Sequence, residues 1–163
     1  GTVPALETEA GVITQSLAII EYLDETQPQP PLLPASAEGR ARVRAIAQTI
    51  ACDIHPVNNL RVLQYLGRYF GASQEQKDAW YQHWVNEGLA AVETLLAGHP
   101  ATGTFCHGEM PTMADCCLVP QVFNARRFNC PLDALPTIRR IVDACEQLPA
   151  FQNAAPASQP DAE

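Results

Sequence analysis

The stretch Thr26-Gln27-Pro28-Gln29-Pro30-Pro31-Leu32-Leu33-Pro34 divides the sequence into two parts of different character. Proline has no N–H to give to a helix or a sheet ladder, so a run this rich in it continues neither. On its N-terminal side, Val3-Pro4-Ala5-Leu6 and Gly11-Val12-Ile13 flank a polar, turn-prone run from Glu7 to Ala10. That pattern predicts a small hairpin. A helix is expected directly after it, with Ser16 as N-cap, Leu17, Ile20 and Leu23 at helical spacing, and Ile19 and Tyr22 widening the stripe.

On the C-terminal side every periodic segment reads as helix. Val43, Ile46, Ala47, Ile50 and Ile54 make one apolar stripe. Pro56 falls inside the pattern, and Leu60, Leu63, Leu66 and Phe70 resume it, which predicts a long helix kinked or briefly broken at Pro56. Ser73-Gln74-Glu75-Gln76 fits a capping box and starts a second long helix, with Trp80, Trp84, Val92, Leu95 and Leu96 expected inward. Gly98 and Pro100 end it. After a turn-rich loop, Thr112-Met113-Ala114-Asp115 resembles the capping box with Asp in place of Glu. Its helix is expected to run to about Phe128 and to bury Ala114, Cys117, Leu118, Val122 and Ala125. Pro136 suits the first position of a last helix carrying Ile138, Ile141, Val142, Cys145 and Leu148. Beyond Phe151 the tail is expected to fray. The fold class is therefore mainly α: an all-α domain over 37–152, preceded by a partial α/β unit over 1–27 and a Pro-rich linker over 28–36, and followed by a tail over 153–163.

Composition narrows the function classes. The chain has 163 residues, 47% hydrophobic and 17% charged, enough apolar surface for a core. Ten Lys and Arg stand against 18 Asp and Glu, a net charge of −8, which argues against a nucleic-acid partner. No apolar run reaches membrane-spanning length. The opening run from Gly1 to Leu6 shows no signal-peptide pattern. We read the start as a truncation and expect a cytoplasmic protein. The six cysteines, Cys52, Cys106, Cys116, Cys117, Cys130 and Cys145, lack a disulfide framework and read as reduced thiols packed as small hydrophobes. No Cys and His cluster at ligand spacing, so no metal is expected.

Three segments carry a family resemblance: Gln15-Ser16-Leu17-Ala18-Ile19-Ile20-Glu21-Tyr22-Leu23, Cys52-Asp53-Ile54-His55-Pro56-Val57-Asn58-Asn59-Leu60-Arg61-Val62-Leu63, and Met113-Ala114-Asp115-Cys116-Cys117-Leu118-Val119-Pro120-Gln121-Val122. Together with the Val-Pro strand end and the Pro-rich linker they resemble the zeta class of the glutathione transferases. The resemblance implies an all-α glutathione-transferase C-terminal domain preceded by the second half of a thioredoxin-like domain. The serine-containing motif that activates the glutathione sulfur in that family would lie before residue 1, so the catalytic residue itself is not assigned.

The resemblance implies glutathione as cofactor and a cis–trans isomerisation of maleylacetoacetate to fumarylacetoacetate. A thiolate adds to the activated alkene, the bond turns while single, and the thiolate leaves. It implies a cis Val3–Pro4 bond that turns the Val3 backbone toward the cysteinyl part of glutathione; spacing alone suits an ordinary trans proline. Gln15 and Ser16 would hold the γ-glutamyl end at a helix N-terminus, where N–H groups favour an anion; a plain N-cap is the alternative. His55 and Asn59, around the expected kink, would serve glutathione or substrate, and Arg61 would pair with a substrate carboxylate. Their alternative is ordinary surface and structural polarity. Arg127 resembles a position that neutralises the far carboxylate in related maleylpyruvate isomerases, while Arg126 reads as a helix-terminus charge. Thr112 and Asp115 read as structural.

Maleylpyruvate isomerisation shares cofactor and mechanism and stays open, as do dehalogenation of small haloacids and a non-catalytic docking or dimerisation module. The implied partners are a small dicarboxylate substrate and a second copy of the chain. The surface from Val3 to Leu23 is expected to be exposed and apolar.

Overall fold

The computed structural model describes residues 3–160 and 162. Strands β1 (Ala5–Thr8) and β2 (Gly11–Thr14) pair antiparallel, with Ala5 opposite Thr14 and Leu6 opposite Ile13. The expected hairpin is therefore present, its turn shortened to Glu9 and Ala10. Gly11 closes it at φ 129°, a conformation that glycine adopts without a Cβ penalty. Helix α1 (Ser16–Thr26) follows at once. Its N-cap is Gln15, not the expected Ser16, and no side chain caps it. Ser16 is already helical because the sharp turn out of β2 is made one residue earlier.

Across the linker lie α2 (Ala37–Gln48), α3 (His55–Asn58), α4 (Leu60–Phe70), α5 (Gln74–Leu96), α6 (Met113–Arg127), α7 (Pro136–Glu146) and α8 (Pro149–Ala154). Between α2 and α3, residues Thr49–Ile54 widen into a π-helical turn in which the His55 N–H donates to the Ile50 carbonyl. The proline ring of Pro56 would clash with the carbonyl four residues back in an ordinary helix, and the widened turn relieves that. The helix then breaks at Asn59 (φ −60°, ψ 146°), not at Pro56 as expected. That break shifts the phase of α4. Leu63 is buried, but Leu60 and Phe70, expected on the same stripe, are 66% and 73% exposed.

The core lies among α2, α5, α6 and α7. Val43, Ile46, Ala47, Ile50 and Ile54 are buried as their spacing predicts. On α5 the inward stripe is Tyr81, Val85, Leu89, Val92 and Leu96; Trp84 and Leu95, expected inward, are exposed. They sit one position off that stripe, about 100° around the helix axis. Ala114, Leu118, Val122 and Ala125 of α6 pack with Ile138, Ile141, Val142 and Cys145 of α7. Both predicted capping boxes form. In the second, the buried Asp115 carboxylate accepts the Thr112 N–H (2.7 Å), the Thr112 hydroxyl (2.8 Å) and the Cys106 N–H (2.9 Å), so it anchors the preceding loop as well as α6. Pro136 opens α7 as expected. The Glu93 carboxylate of α5 accepts the Thr137 and Ile138 N–H groups at 2.9 Å each. The tail keeps its order past Phe151, through Ala154 and a short 3-10 turn at Pro156–Ser158.

The hairpin and α1 meet the helical body through few groups. Leu17 and Ile20 pack on the edge of the core. Glu21 accepts two hydrogen bonds from Arg44 of α2, at 2.6 and 3.1 Å. Asp24 accepts the Leu32 N–H, and the Leu32 carbonyl accepts the Met113 N–H at the start of α6 (2.9 Å).

Candidate functional site

The site residues named from the sequence fall in three places. Val3 and Pro4 precede β1; their peptide bond is cis, and Val3 is 91% exposed. Gln15 and Ser16 form the start of α1. Gln15 sits at φ 75°, ψ 120°, a region that a residue with a Cβ occupies only at a cost. The first turn of α1 carries no acidic residue, and no side chain takes up its leading N–H groups. The Gln15 amide and Ser16 hydroxyl are exposed and make no hydrogen bond among the described residues. These observations fit the carboxylate-bearing end of a peptide ligand such as glutathione.

The second place is the corner between α3 and α4. His55 Nε2 lies 3.5 Å from Asn59 Nδ2, and Asn59 Oδ1 accepts the Arg61 N–H at 3.2 Å. His55, Asn59 and Arg61 are thus brought together by the break, with His55 and Arg61 exposed and Asn59 half-buried. Two residues missed in the sequence belong here. Asn58 is buried, its Nδ2 donating to the Ile54 carbonyl (3.4 Å) and its Oδ1 left without a partner. Trp80 of α5 donates its indole N–H to the Val57 carbonyl at 2.9 Å. No local signal marks Trp80; its partner lies 23 residues away.

The third place is the end of α6. Arg127 lines a small open depression with Asp78, Gln82, Phe128 and Asn129. Gln82 donates to the Phe128 carbonyl (2.8 Å), and the Phe128 ring stacks on Tyr81 at 3.7 Å between centroids. Burial pushes the Tyr81 hydroxyl above its ordinary pKa, so it stays protonated. No hydrogen bond joins Arg127 to the α3–α4 corner or to α1 among the described residues.

The arginines separate by partner. Arg44 pairs with Glu21, Arg126 with Glu146, and Arg139 with Asp133 (3.5 Å). Arg42 donates to the Cys106 carbonyl (2.6 Å) and the Thr102 hydroxyl (2.7 Å). Arg126 is therefore engaged with acidic residues of α7. Among the described residues neither Arg61 nor Arg127 engages an ion pair or a side-chain hydrogen bond, which leaves both guanidiniums available to an anionic ligand.

The cysteines of α6 and α7 do not compete as nucleophiles. All six are free. Burial, reinforced by the nearby Asp115 carboxylate, pushes Cys116 up to about 11 and Cys145 up to about 12; burial and the neighbouring Cys116 push Cys117 up to about 12. Thiols so perturbed stay protonated near neutrality. No group of His, Cys, Asp and Glu among the described residues could hold a metal ion. A wide hollow between the hairpin and α1, lined by Leu6, Val12, Tyr22 and Leu23, is larger than the Arg127 depression but contains none of the site residues. Val12 there is 65% exposed, and Tyr22 and Leu23 are 38% and 37% exposed, the apolar face expected of this segment.

Comparison with known proteins identifies the family. Residues 1–31 match the glutathione S-transferase N-terminal domain and residues 74–153 the glutathione S-transferase C-terminal domain. A maleylpyruvate isomerase of Ralstonia sp is 54% identical over 98% of this chain and 75% of its own length. The holo structure of a maleylpyruvate isomerase, a bacterial glutathione S-transferase of the zeta class, superposes with a TM-score of 0.96 at 52% identity, over 99% of this chain and 76% of that one. The structure of a maleylacetoacetate isomerase from Anaeromyxobacter dehalogenans with bound glutathione superposes with a TM-score of 0.92 at 43% identity, over 99% of this chain and 74% of that one. This chain belongs to the zeta class of the glutathione S-transferase family, the class of the maleylacetoacetate and maleylpyruvate isomerases.

Proposed function

We propose that the protein catalyses the glutathione-dependent cis–trans isomerisation of maleylacetoacetate to fumarylacetoacetate. One observation carries the reading: the chain combines an uncapped, donor-rich helix start at Gln15 and Ser16 with two guanidiniums, Arg61 and Arg127, that no internal acid neutralises. The first suits the anionic end of glutathione, the second a substrate with separated acidic groups. Glutathione, when bound, supplies the thiolate that adds to the alkene and leaves after the bond has turned. The chain's own part is to hold and to orient. Val3 presents its backbone beside the cis proline to the cysteinyl portion. Gln15, Ser16 and the first N–H groups of α1 take the γ-glutamyl carboxylate. His55 and Asn59 hydrogen-bond the ligands at the α3–α4 corner. Arg61 pairs with one substrate carboxylate and Arg127 with the far one, so the two ends of the substrate are neutralised and oriented, with room for one end to swing as the central bond turns.

Maleylpyruvate is the second substrate to weigh, because relatives of both names align over nearly the whole chain. The Asn58-Asn59-Leu60-Arg61 form of the corner favours maleylacetoacetate. We place the protein in the cytoplasm as a homodimer. No helix among the described residues is long and apolar enough to cross a membrane. We divide the chain into a glutathione-binding unit over 1–27, a Pro-rich linker over 28–36, a helical domain over 37–152 and a tail over 153–163.

The test is turnover by the full-length protein of maleylacetoacetate and of maleylpyruvate, each with and without glutathione. Faster glutathione-dependent turnover of maleylacetoacetate is expected. Arg61→Ala should raise KM about tenfold, the loss of one charge-assisted pair. A preference for maleylpyruvate moves the substrate assignment and leaves the chemistry. No turnover of either by folded protein overturns the isomerase reading.

A further inference from the structure

A helix broken at Asn59 has a carbonyl to account for. In an unbroken helix the Val57 carbonyl would accept the N–H of the residue four positions on, Arg61. Here the Arg61 N–H turns to Asn59 Oδ1 instead (3.2 Å), and Asn59 becomes the N-cap of α4. The Val57 carbonyl, half-buried and cut off from its helical donor, receives the Trp80 indole N–H at 2.9 Å. A buried carbonyl without a donor is disfavoured, so some group must replace the lost N–H for the break to persist. Trp80 is that group, and it belongs to α5, a different and long helix.

Trp80 is fixed in turn. It packs half-buried against the core and meets Trp84 edge to face at 5.7 Å between ring centroids. Two residues farther along α5, Gln82 holds the Phe128 carbonyl, the residue next to Arg127. A single turn of α5 therefore braces the backbone at the Arg61 corner and beside Arg127. We infer that Trp80 is a positioning residue for substrate: its N–H holds the α3–α4 corner open, and so sets where Asn59 and Arg61 present their side chains to a dicarboxylate. This rests on the reading of Arg61 as a substrate ligand.

The experiment uses malonate, the simplest stable dicarboxylate probe, titrated by calorimetry into glutathione-loaded full-length protein. Wild type, Trp80→Phe, Arg61→Ala and the double variant are compared. Phenylalanine keeps an aromatic ring, smaller than indole, and removes the N–H. Trp80→Phe is expected to weaken malonate five- to tenfold with glutathione affinity changed less than twofold. In the Arg61→Ala background the same substitution is expected to change nothing further, because the two act through one contact. A purely structural Trp80 would lower the melting temperature without that coupling. Malonate affinity unchanged in Trp80→Phe, losses that add independently to those of Arg61→Ala, or no binding by wild type each overturn the inference. If Trp80→Phe does not fold, Trp84→Phe leaves Trp80 as the sole indole of these 163 residues, and the part of the malonate-dependent emission that survives in Trp84→Phe reports on it; no malonate-dependent shift overturns the inference. Wild type that binds malonate yet isomerises neither maleyl substrate overturns the isomerase reading and leaves this inference standing.

Discussion

Gln15 carries the sharpest conflict between stability and use. At φ 75° and ψ 120° its Cβ is crowded by its own backbone, a conformation that costs on the order of 1–3 kcal/mol. Glycine would remove the crowding but adds chain entropy to the unfolded state, so the two effects partly offset. Gln15→Gly is therefore expected to raise stability by about 1 kcal/mol or less, seen as a small rise in the urea midpoint. The same change removes the amide proposed to hold the γ-glutamyl end and should weaken glutathione by about tenfold, the scale of one lost hydrogen bond to a charged group. A variant that gains stability and keeps full glutathione affinity would mean the strained backbone serves only the turn between β2 and α1. Spacing alone pointed to the helix start but not to this conformation. Ser16 looked like the cap because serine is a good one, and the turn that displaces it depends on how β2 delivers the chain.

At the scale of elements, what was legible is what is local. Ser73 with Gln76, and Thr112 with Asp115, are three residues apart and announce their helices without help from the rest of the chain. Pro136 at the start of α7 is equally self-contained. Pro56 announces a disturbance, but the positions of the π-helical turn and of the break at Asn59 were not legible, because they depend also on α5. Trp80 supplies the donor at the corner, and Gly88 supplies the room for the turn. A Cβ on Gly88 would stand 2.3 Å from Ile54 Cγ1 and 2.6 Å from its Cδ1. Ile54 is 1% exposed and has nowhere to swing. Gly88→Ala is thus expected to destabilise by about 2–3 kcal/mol despite the better helix propensity of alanine, since overpacking outweighs a gain of about 1 kcal/mol. Urea unfolding decides it. An unchanged midpoint would mean that the turn yields, and the corner carrying His55, Asn59 and Arg61 would then be expected to move with it. Glu93 was also missed. Its carboxylate caps a helix more than 40 residues away, and nothing near it in sequence says so.

For the molecule as a whole, the proposed glutathione end sits on the hairpin unit and the proposed substrate end on the helical body, so activity depends on how the two are held together. Beyond Leu17, Ile20 and the linker contacts, the tie is the two-pronged pair of Glu21 with Arg44. The Arg44 guanidinium holds the Glu21 carboxyl below its ordinary value, hydrogen bonding outweighing the cost of burial. The folded state therefore binds fewer protons than the unfolded one in this window. The contribution is whole above the ordinary carboxylate range and is lost as pH falls through the folded value. Both side chains are 33% exposed, so solvent screening limits it to about 1 kcal/mol or less. Glu21→Gln should accordingly lower neutral stability by about 1 kcal/mol or less and leave stability well below about pH 4.5 unchanged, which flattens the acid limb of the melting temperature. Catalysis should respond more than stability, because a misplacement of about 1 Å between two ligand ends can cost 10²-fold in rate. We expect kcat for the maleyl substrate to fall severalfold in Glu21→Gln while glutathione affinity holds. The reversed pair, Glu21→Arg with Arg44→Glu, should recover part of the loss. If kcat is unmoved by either change, Leu17, Ile20 and the linker hydrogen bonds fix the registry by themselves, and the ion pair is a pH-dependent increment of stability with no part in turnover.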